Sequence, residues 1–188
     1  FCLNEGGLVI DVSPMNSLQL DSKSGILTAG AGCKLAGVNQ TLLAKGRLLP
    51  SGSCATVGLS GLVLGGGYGL FARQFGLTCD HLVSLRLIDG EGNLRGGGNG
   101  HFGIVTELRL QTQPAPRGLT AFKYRAAGLN EARATALLQA WFEASAGLTD
   151  NAFSAFVLNG DFLSILTTTP GSRENRGMKA FHKQLSAL

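Results

Sequence analysis

No apolar run in this 188-residue chain is long enough to cross a bilayer as a helix, so nothing in it reads as a membrane span. Charge is scarce. Asp, Glu, Lys and Arg make up 15% of the residues, and 16 cations against 12 anions leave a net charge of +4. The cations, among them Arg73, Arg86, Arg95, Arg109, Arg117, Lys179 and Lys183, are scattered. They lack the clustered run that a nucleic-acid partner requires, so none is expected. Metal-ligand spacing is missing as well. Cys2, Cys33, Cys54 and Cys79 lie 31, 21 and 25 residues apart, and His81, His101 and His182 form no paired-ligand motif. No metal is expected, and a disulfide framework is poorly supported in a chain that can build a core. Repeats and low-complexity tracts are absent. No signal peptide is legible. The chain opens without Met inside what reads as a structured segment, so it reads as a fragment and its missing targeting signals are uninformative. A soluble protein, cytoplasmic or secreted, fits equally.

Apolar residues are plentiful at 44%, enough for a core, and glycine is abundant at 28 residues. That is about twice the usual share of roughly 7%. Seven of those glycines fall within the nineteen residues "GLSGLVLGGGYGLFARQFG", Gly58 to Gly76. Each raises the entropy lost on folding. Some interaction must require the bare backbone there.

The rest of the chain reads as α+β. Gly7 to Val12, "GLVIDV", has the β-branched alternation of a strand. "SLQLD" and "GILTAGAG" read as a hairpin through "SKSG". Leu35, Val38, Leu42 and Leu43 have helical spacing, with Gly46 as a stop. "RLLPSGSCATVG" is a loop. His81 to Asp89 is a strand followed by the tight turn "GEGN", but the second half of that hairpin is not evident before "GGGNG". Gly103 to Pro114 is another strand, with Ile104, Thr106, Leu108 and Leu110 on one face and Val105, Glu107, Arg109 and Gln111 on the other. "PAPRG", Pro114 to Gly118, marks a domain boundary, giving domains 1–117 and 118–188. Beyond it come a strand "TAFKYR", an amphipathic helix and a hairpin through Asn159-Gly160. In that helix Asn130 reads as the N-cap, Gly147 as the stop, and Leu137, Leu138, Trp141 and Phe142 as the buried face. A last helix begins near Arg173.

The glycine-rich stretch has three readings. Gly67 to Ala72 fits G-x-G-x-x-A, and Asp89 lies twenty residues after Gly69, where a ribose-binding acid belongs in a nicotinamide-dependent Rossmann dehydrogenase. The run before it, "LSGLVLGGG", is short and glycine-broken for a buried parallel strand. The second reading is packing alone, with glycines at turns and close contacts. The third is a cradle, in which bare N–H groups wrap a pyrophosphate and a flat ring lies on the chain.

The third reading coincides with a resemblance. "SGSCATVGLSGLVLGGGYGLFARQFGLTCDHLV" resembles the core motif of FAD-linked oxidases with the p-cresol methylhydroxylase-type fold, within them the berberine-bridge-enzyme-like and oligosaccharide-oxidase branch. "GGLVIDVSPMNSLQLDSKSGILTAGAGCKLAGVNQTLLAKG", "LRLIDGEGNL" and "GGGNGHFGIVTELRLQTQPAP" resemble the flanking segments in order, covering residues 1 to about 117. The resemblance implies an FAD-binding domain of mixed sheets with helices over 1–117. After it, 118–188 would be the start of an α+β substrate domain with an antiparallel sheet. It implies oxidation of a small-molecule alcohol, sugar, phenol or alkaloid by hydride transfer to FAD, with O2 as acceptor. It places Ser53, Cys54, Thr56, Val57, Gly58, Ser60 and Gly61 along the pyrophosphate and ring. Gly66, Gly67 and Tyr68 continue the cradle, and Ile104 and Val105 offer backbone groups. Cys54 stands where the family joins sulfur to the flavin ring; the alternative is a small buried hydrophobe. Tyr68 is a ring-edge donor or core. Cys2, Cys33 and Cys79 match no attachment site.

The chain also departs from the family pattern. The family's second anchor, a histidine in an SGGHS-like segment, has no counterpart here. "GNLR" runs straight into "GGGNG", where members carry an intervening stretch. The C-terminal segment bearing the general base is missing, so no catalytic residue is assigned; Tyr124 lies in a substrate-domain strand and reads as structural. Leu62 stands where plant members often carry histidine, and His101 is a loop residue either near the flavin or solvated. The chain is therefore expected to hold the ordered parts of a longer protein in a form without bound FAD, whose flavin-contacting loops order on binding. A truncated relative, a non-catalytic flavin- or ligand-binding fragment, is the alternative.

Overall fold

The computed structural model describes residues 6–96, 103–171 and 176–186. Its backbone divides into two compact units, Phe1–Gly69 with Leu77–Ala115, and Leu70–Gly76 with Pro116–Leu188. The second division falls inside "PAPRG".

The first unit begins with an irregular approach. Gly7 to Val12 forms no strand, contrary to its alternation. No strand lies alongside it among the described residues, so its ladder bonds have no partner, and Leu8 is 85% exposed. Order starts at Val12, whose carbonyl accepts from Met15 N–H at 2.9 Å. Next come β1 (Leu18–Asp21) and β2 (Ile26–Gly30), the expected antiparallel hairpin. Asp21 organises its turn, accepting from Ser24 Oγ at 2.6 Å and Lys23 N–H at 2.9 Å. Those hydrogen bonds, Ser24 foremost, hold its carboxyl below the ordinary value.

Helix α1 (Leu35–Leu43) follows, burying Leu35, Val38 and Leu42. Leu43 points to solvent instead, one residue round the helix from the Leu42 stripe. The two-residue strand β3 (Arg47–Leu48) leads into the loop and then helix α2 (Leu59–Leu64). A short turn of helix, α3 (Ala72–Phe75), and a 3-10 turn at Thr78–His81 precede strand β4 (Leu82–Asp89). Strand β5 (Leu94–Gly96) pairs with β4 and supplies the second half of the hairpin that the sequence leaves open. Strand β6 (Gly103–Gln111) runs through the centre, and β7 (Gln113–Pro114) pairs with β3.

The sheet order is β1-β2-β6-β4-β5, and every pairing described is antiparallel. Its core holds Leu27, Leu35, Leu42, Leu59, Leu108 and Leu110, all fully buried. Each contributes about 2 kcal/mol of burial. The alternation of β6 is broken by a register shift. Arg86 faces Glu107 while Leu87 faces Val105, so Thr106 is the extra residue. The shift brings Val105, rather than Ile104, to the buried face with Leu108 and Leu110.

Besides α3, the second unit carries strand β8 (Leu119–Ala126), helix α4 (Glu131–Ser145), strands β9 (Phe153–Asn159) and β10 (Phe162–Pro170), and helix α5 (Arg176–Ser186). Its sheet order is β8-β10-β9, antiparallel throughout. Asn130 caps α4 by accepting from Arg133 N–H at 2.9 Å, and Gly147 follows its end. The β9–β10 loop is Gly160-Asp161, one residue later than expected, with Gly160 at φ 61 as a primed turn requires. The buried row of α4 is Leu137, Trp141, Ala144 and on to Leu148. Leu138 and Phe142 stand one position round the helix from that row, and Phe142 is 62% exposed. Trp141 Nε1 donates to Ser154 Oγ at 2.9 Å. The expected start of α5 near Arg173 lies outside the described residues.

Candidate functional site

The loop after β3 has an unusual division of its backbone groups. Its carbonyls serve the first turn of α1, which has no side-chain cap at Lys34. Leu35 N–H donates to the Val57 carbonyl and Ala36 N–H to the Ala55 carbonyl, both at 3.0 Å. The loop thereby satisfies donors that a helix start leaves open. Its own donors are left over. Among the described residues, the N–H groups of Ser53, Cys54, Ala55 and Thr56 reach no backbone carbonyl, and these four residues are exposed. Helix α2 repeats the pattern. Gly58 occupies its N-cap without a side-chain bond, and Leu59 N–H goes to the Cys33 carbonyl at 2.8 Å. The N–H groups of Ser60 and Gly61 have no such partner among the described residues. The Ser60 hydroxyl is turned to the fold and donates to the Ala31 carbonyl at 2.8 Å. Ser60 therefore contributes backbone to this surface. Val57 N–H is bonded to the Cys54 carbonyl at 3.3 Å, which leaves Val57 its half-buried side chain.

The glycines divide into two kinds. Gly66 and Gly67 have φ values of 101 and 81, which favour glycine. Their carbonyls accept from Cys79 and Thr78 N–H, each at 2.8 Å, and a Cβ on Gly67 would overlap the Thr78 hydroxyl. A Cβ on Gly69 would overlap the Ser51 carbonyl. These three are glycine because the fold requires it. Gly58 and Gly61 are different. A Cβ on either would meet nothing within 4 Å, and Gly58 has an ordinary φ of −71. Nothing in the described fold requires glycine at these two positions.

Several separated segments converge on this surface. Ala31 accepts from Ser60 and donates its own N–H to the Thr106 carbonyl at 3.0 Å, which sets the start of α2 beside β6. Ile104 and Val105 are paired with β4 on one side and lie past the end of β2 on the other. The Tyr68 carbonyl lies 3.6 Å from the Cβ position of Gly52, placing Tyr68 next to the loop. Tyr68 is 62% exposed, which removes the core reading of it. Cys54 is exposed as well and is not the small buried hydrophobe of the alternative reading. Cys33 fills that role: it is 2% exposed, Sγ donates to the Ser17 carbonyl, and burial pushes its thiol up. Ala55, in the middle of the open donors, was not singled out from sequence. His101 and Cys2 lie outside the described residues. No three His, Cys, Asp or Glu side chains among the described residues gather as a metal site would need.

The Rossmann reading fails on geometry. The segment before Gly67 is helix α2, not a strand, and no parallel pair exists among the described strands. Asp89 is occupied inside its own turn. It accepts from Asn93 N–H at 2.8 Å, Arg95 Nε at 2.9 Å and Glu91 N–H at 3.0 Å. Arg95 foremost holds its carboxyl down to about 2.

Known proteins resemble this chain in sequence and in fold. Residues 1–97 match the profile described as the FAD binding domain. The FAD-linked oxidoreductase YvdP of Bacillus subtilis is 35% identical over 132 residues, 62% of this chain and 30% of that protein. The monolignol oxidoreductase AtBBE-like 13 of Arabidopsis thaliana is 26% identical over 183 residues, 89% of this chain and 33% of that protein. The chain thus spans about a third of the length of these curated relatives. Among solved structures, Phl p 4, a grass pollen allergen with glucose dehydrogenase activity, superimposes with a TM-score of 0.85 at 20% identity, over 95% of this chain and 40% of that one. That likeness establishes the fold. Among the described residues no helix is long and apolar enough to cross a membrane.

Proposed function

Because the chain belongs to the FAD binding domain family, we propose that the open donors of residues 53–61 hold the pyrophosphate and ring of FAD in an FAD-linked oxidoreductase. The observation that carries this reading is the pair Gly58 and Gly61, glycines that the internal packing does not need. A ligand lying flat against the backbone needs them. The surrounding N–H groups of Ser53, Cys54, Ala55, Thr56, Ser60 and Gly61 suit a diphosphate by chemistry, as donors converging on an anion. Val57 would add apolar contact, and Gly66, Gly67 and Tyr68 would border the ring. Ile104 and Val105 would offer backbone at the far edge. Cys54, exposed among these donors, would carry a thioether to the flavin.

FAD, when bound, supplies a two-electron acceptor. This chain's residues would bind it, orient it and exclude water from one of its faces. Residues 1–117, apart from the excursion at Leu70–Gly76, would then be the cofactor domain, and 118–188 would begin a substrate domain. The substrate would be a hydroxylated small molecule, an alcohol, sugar, phenol or alkaloid, a reading that the monolignol and glucose in the relatives' names support. The acceptor would be O2, which the name of the similarly folded chitooligosaccharide oxidase supports. Visible absorption before and after acid precipitation tests the reading. A flavin band that stays with the pellet, and moves to the supernatant in Cys54→Ser, is the expected result. A colourless protein that takes up no added FAD would remove the cofactor.

A further inference from the structure

The last seven residues of the glycine-rich stretch belong to the other unit. The chain leaves the first unit after Gly69, joins the second over Leu70–Gly76, and returns at Leu77. Both ends are fixed in the first unit. Gly69 lies so close to the Ser51 carbonyl that a Cβ has no room, and Leu77 N–H donates to Asp80 Oδ2 at 2.8 Å. At the second end the excursion turns through Gly76, whose φ is 82. In its middle the Arg73 side chain makes two hydrogen bonds. Arg73 donates from Nη2 to the Leu148 carbonyl at 3.3 Å and from Nη1 to the Ala152 carbonyl at 3.5 Å. These carbonyls bracket the connection between α4 and β9, and among the described residues neither has another hydrogen-bond donor. Asp150 Oδ1 lies 3.9 Å from Nη2, but its side chain is 92% exposed, so this ion pair adds little. The planar guanidinium suits the task, since it spans two carbonyls with donors in fixed geometry.

We infer that Arg73 is a positioning residue that couples filling of the glycine cradle to folding of the second unit. The inference rests on the reading of residues 53–68 as the FAD site. The physical argument is linkage. The excursion's entry end, at Tyr68 and Gly69, adjoins the cradle, so a ligand that favours the folded cradle also favours the excursion in its place in the second unit. The ordering cost shared by the two events is met once, so each favours the other, and the effect is reciprocal. Arg73 carries the coupling because its guanidinium bonds two carbonyls of the second unit's α4–β9 connection.

Trp141, the single tryptophan of the sequence, lies in the second unit against Phe156, so its emission reports that unit. Urea unfolding of the 188-residue chain followed by Trp141, with and without FAD, tests the inference. A Cys54→Ser background keeps binding reversible. Added FAD is expected to raise the Trp141 midpoint with Arg73 present. Arg73→Ala is expected to abolish that shift and weaken FAD binding about fivefold, the low end of usual couplings. An equal shift in Arg73→Ala overturns the inference. Arg73→Lys keeps the charge but not the two-pronged reach and is expected to lose most of the shift. Asp150→Asn is expected to keep it. If the chain binds no FAD, the reading of the cradle fails. The pin itself is then judged by chymotrypsin at Phe71 and Phe75 in folded protein: faster cleavage in Arg73→Ala and Arg73→Lys supports it, and unchanged cleavage overturns it.

Discussion

Gly58 and Gly61 stand within eleven residues of Gly66, Gly67 and Gly69, yet the two groups are glycine for opposite reasons. The later three are demanded from inside, by positive φ, by the Thr78 hydroxyl and by the Ser51 carbonyl. The earlier two face open space with ordinary backbone geometry. In sequence the whole stretch looks like one motif. In the structure it is a rigid half that shapes the chain and an open half that presents donors. The difference shows where packing stops explaining glycine and a ligand must begin.

The sharpest way to break this comparison is Gly69→Ala. The new methyl would fall on backbone, which cannot rotate away, so overpacking is expected to cost about 3 kcal/mol. Equilibrium urea unfolding by circular dichroism measures it, and a loss below about 1 kcal/mol would place Gly69 with the open glycines. Gly61→Ala should do the reverse. The methyl meets empty space inside α2, where replacing glycine stabilises by about 0.5–1 kcal/mol. FAD affinity should fall about tenfold in the same protein, a loss of about 1.4 kcal/mol. A more stable chain that binds FAD less well is a signature no packing role produces. Unchanged affinity would take Gly61 off the ligand surface.

Much of the fold was legible because its periodicities are local. The β1–β2 hairpin, α1 with its stripe at Leu35, Val38 and Leu42, and the Asn130 cap of α4 all follow from short-range patterns. The misreadings come from partners far away in sequence. Gly7 to Val12 has strand composition but no neighbour to pair with among the described residues. Val105 replaces Ile104 on the core face because of a register shift against β4. Leu138 and Phe142 have helical spacing, but which row faces the sheet is decided by the sheet. The site shows the same limit. The glycine stretch and the exposed Cys54 loop could be found from residue types. Which glycines are free of internal duty depends on Ser51 and Thr78, and the outward N–H row depends on α1 taking the carbonyls. The place of Arg73 in the other unit has no sequence signal at all.

Asp89 gives the smallest effect and separates the cradle from the nucleotide reading it competed with. Its carboxyl sits at about 2, held down first by Arg95 and then by the Asn93 and Glu91 amides. An unfolded aspartate titrates near 3.9. A folded pKa below the unfolded one contributes stability that is present above about pH 4 and is lost as pH falls toward about 2. Asp89→Asn keeps an oxygen for the turn's amides but removes the charge facing Arg95. Its stability should therefore fall less steeply than that of the parent between about pH 4 and about pH 2, and the two should converge at the acid end. Urea midpoints at several pH values measure this. FAD affinity at neutral pH should be unchanged, because this carboxylate is engaged within its own hairpin rather than on a ribose. A lost nucleotide affinity with an unaltered acid profile would reverse that assignment and return Asp89 to the ligand.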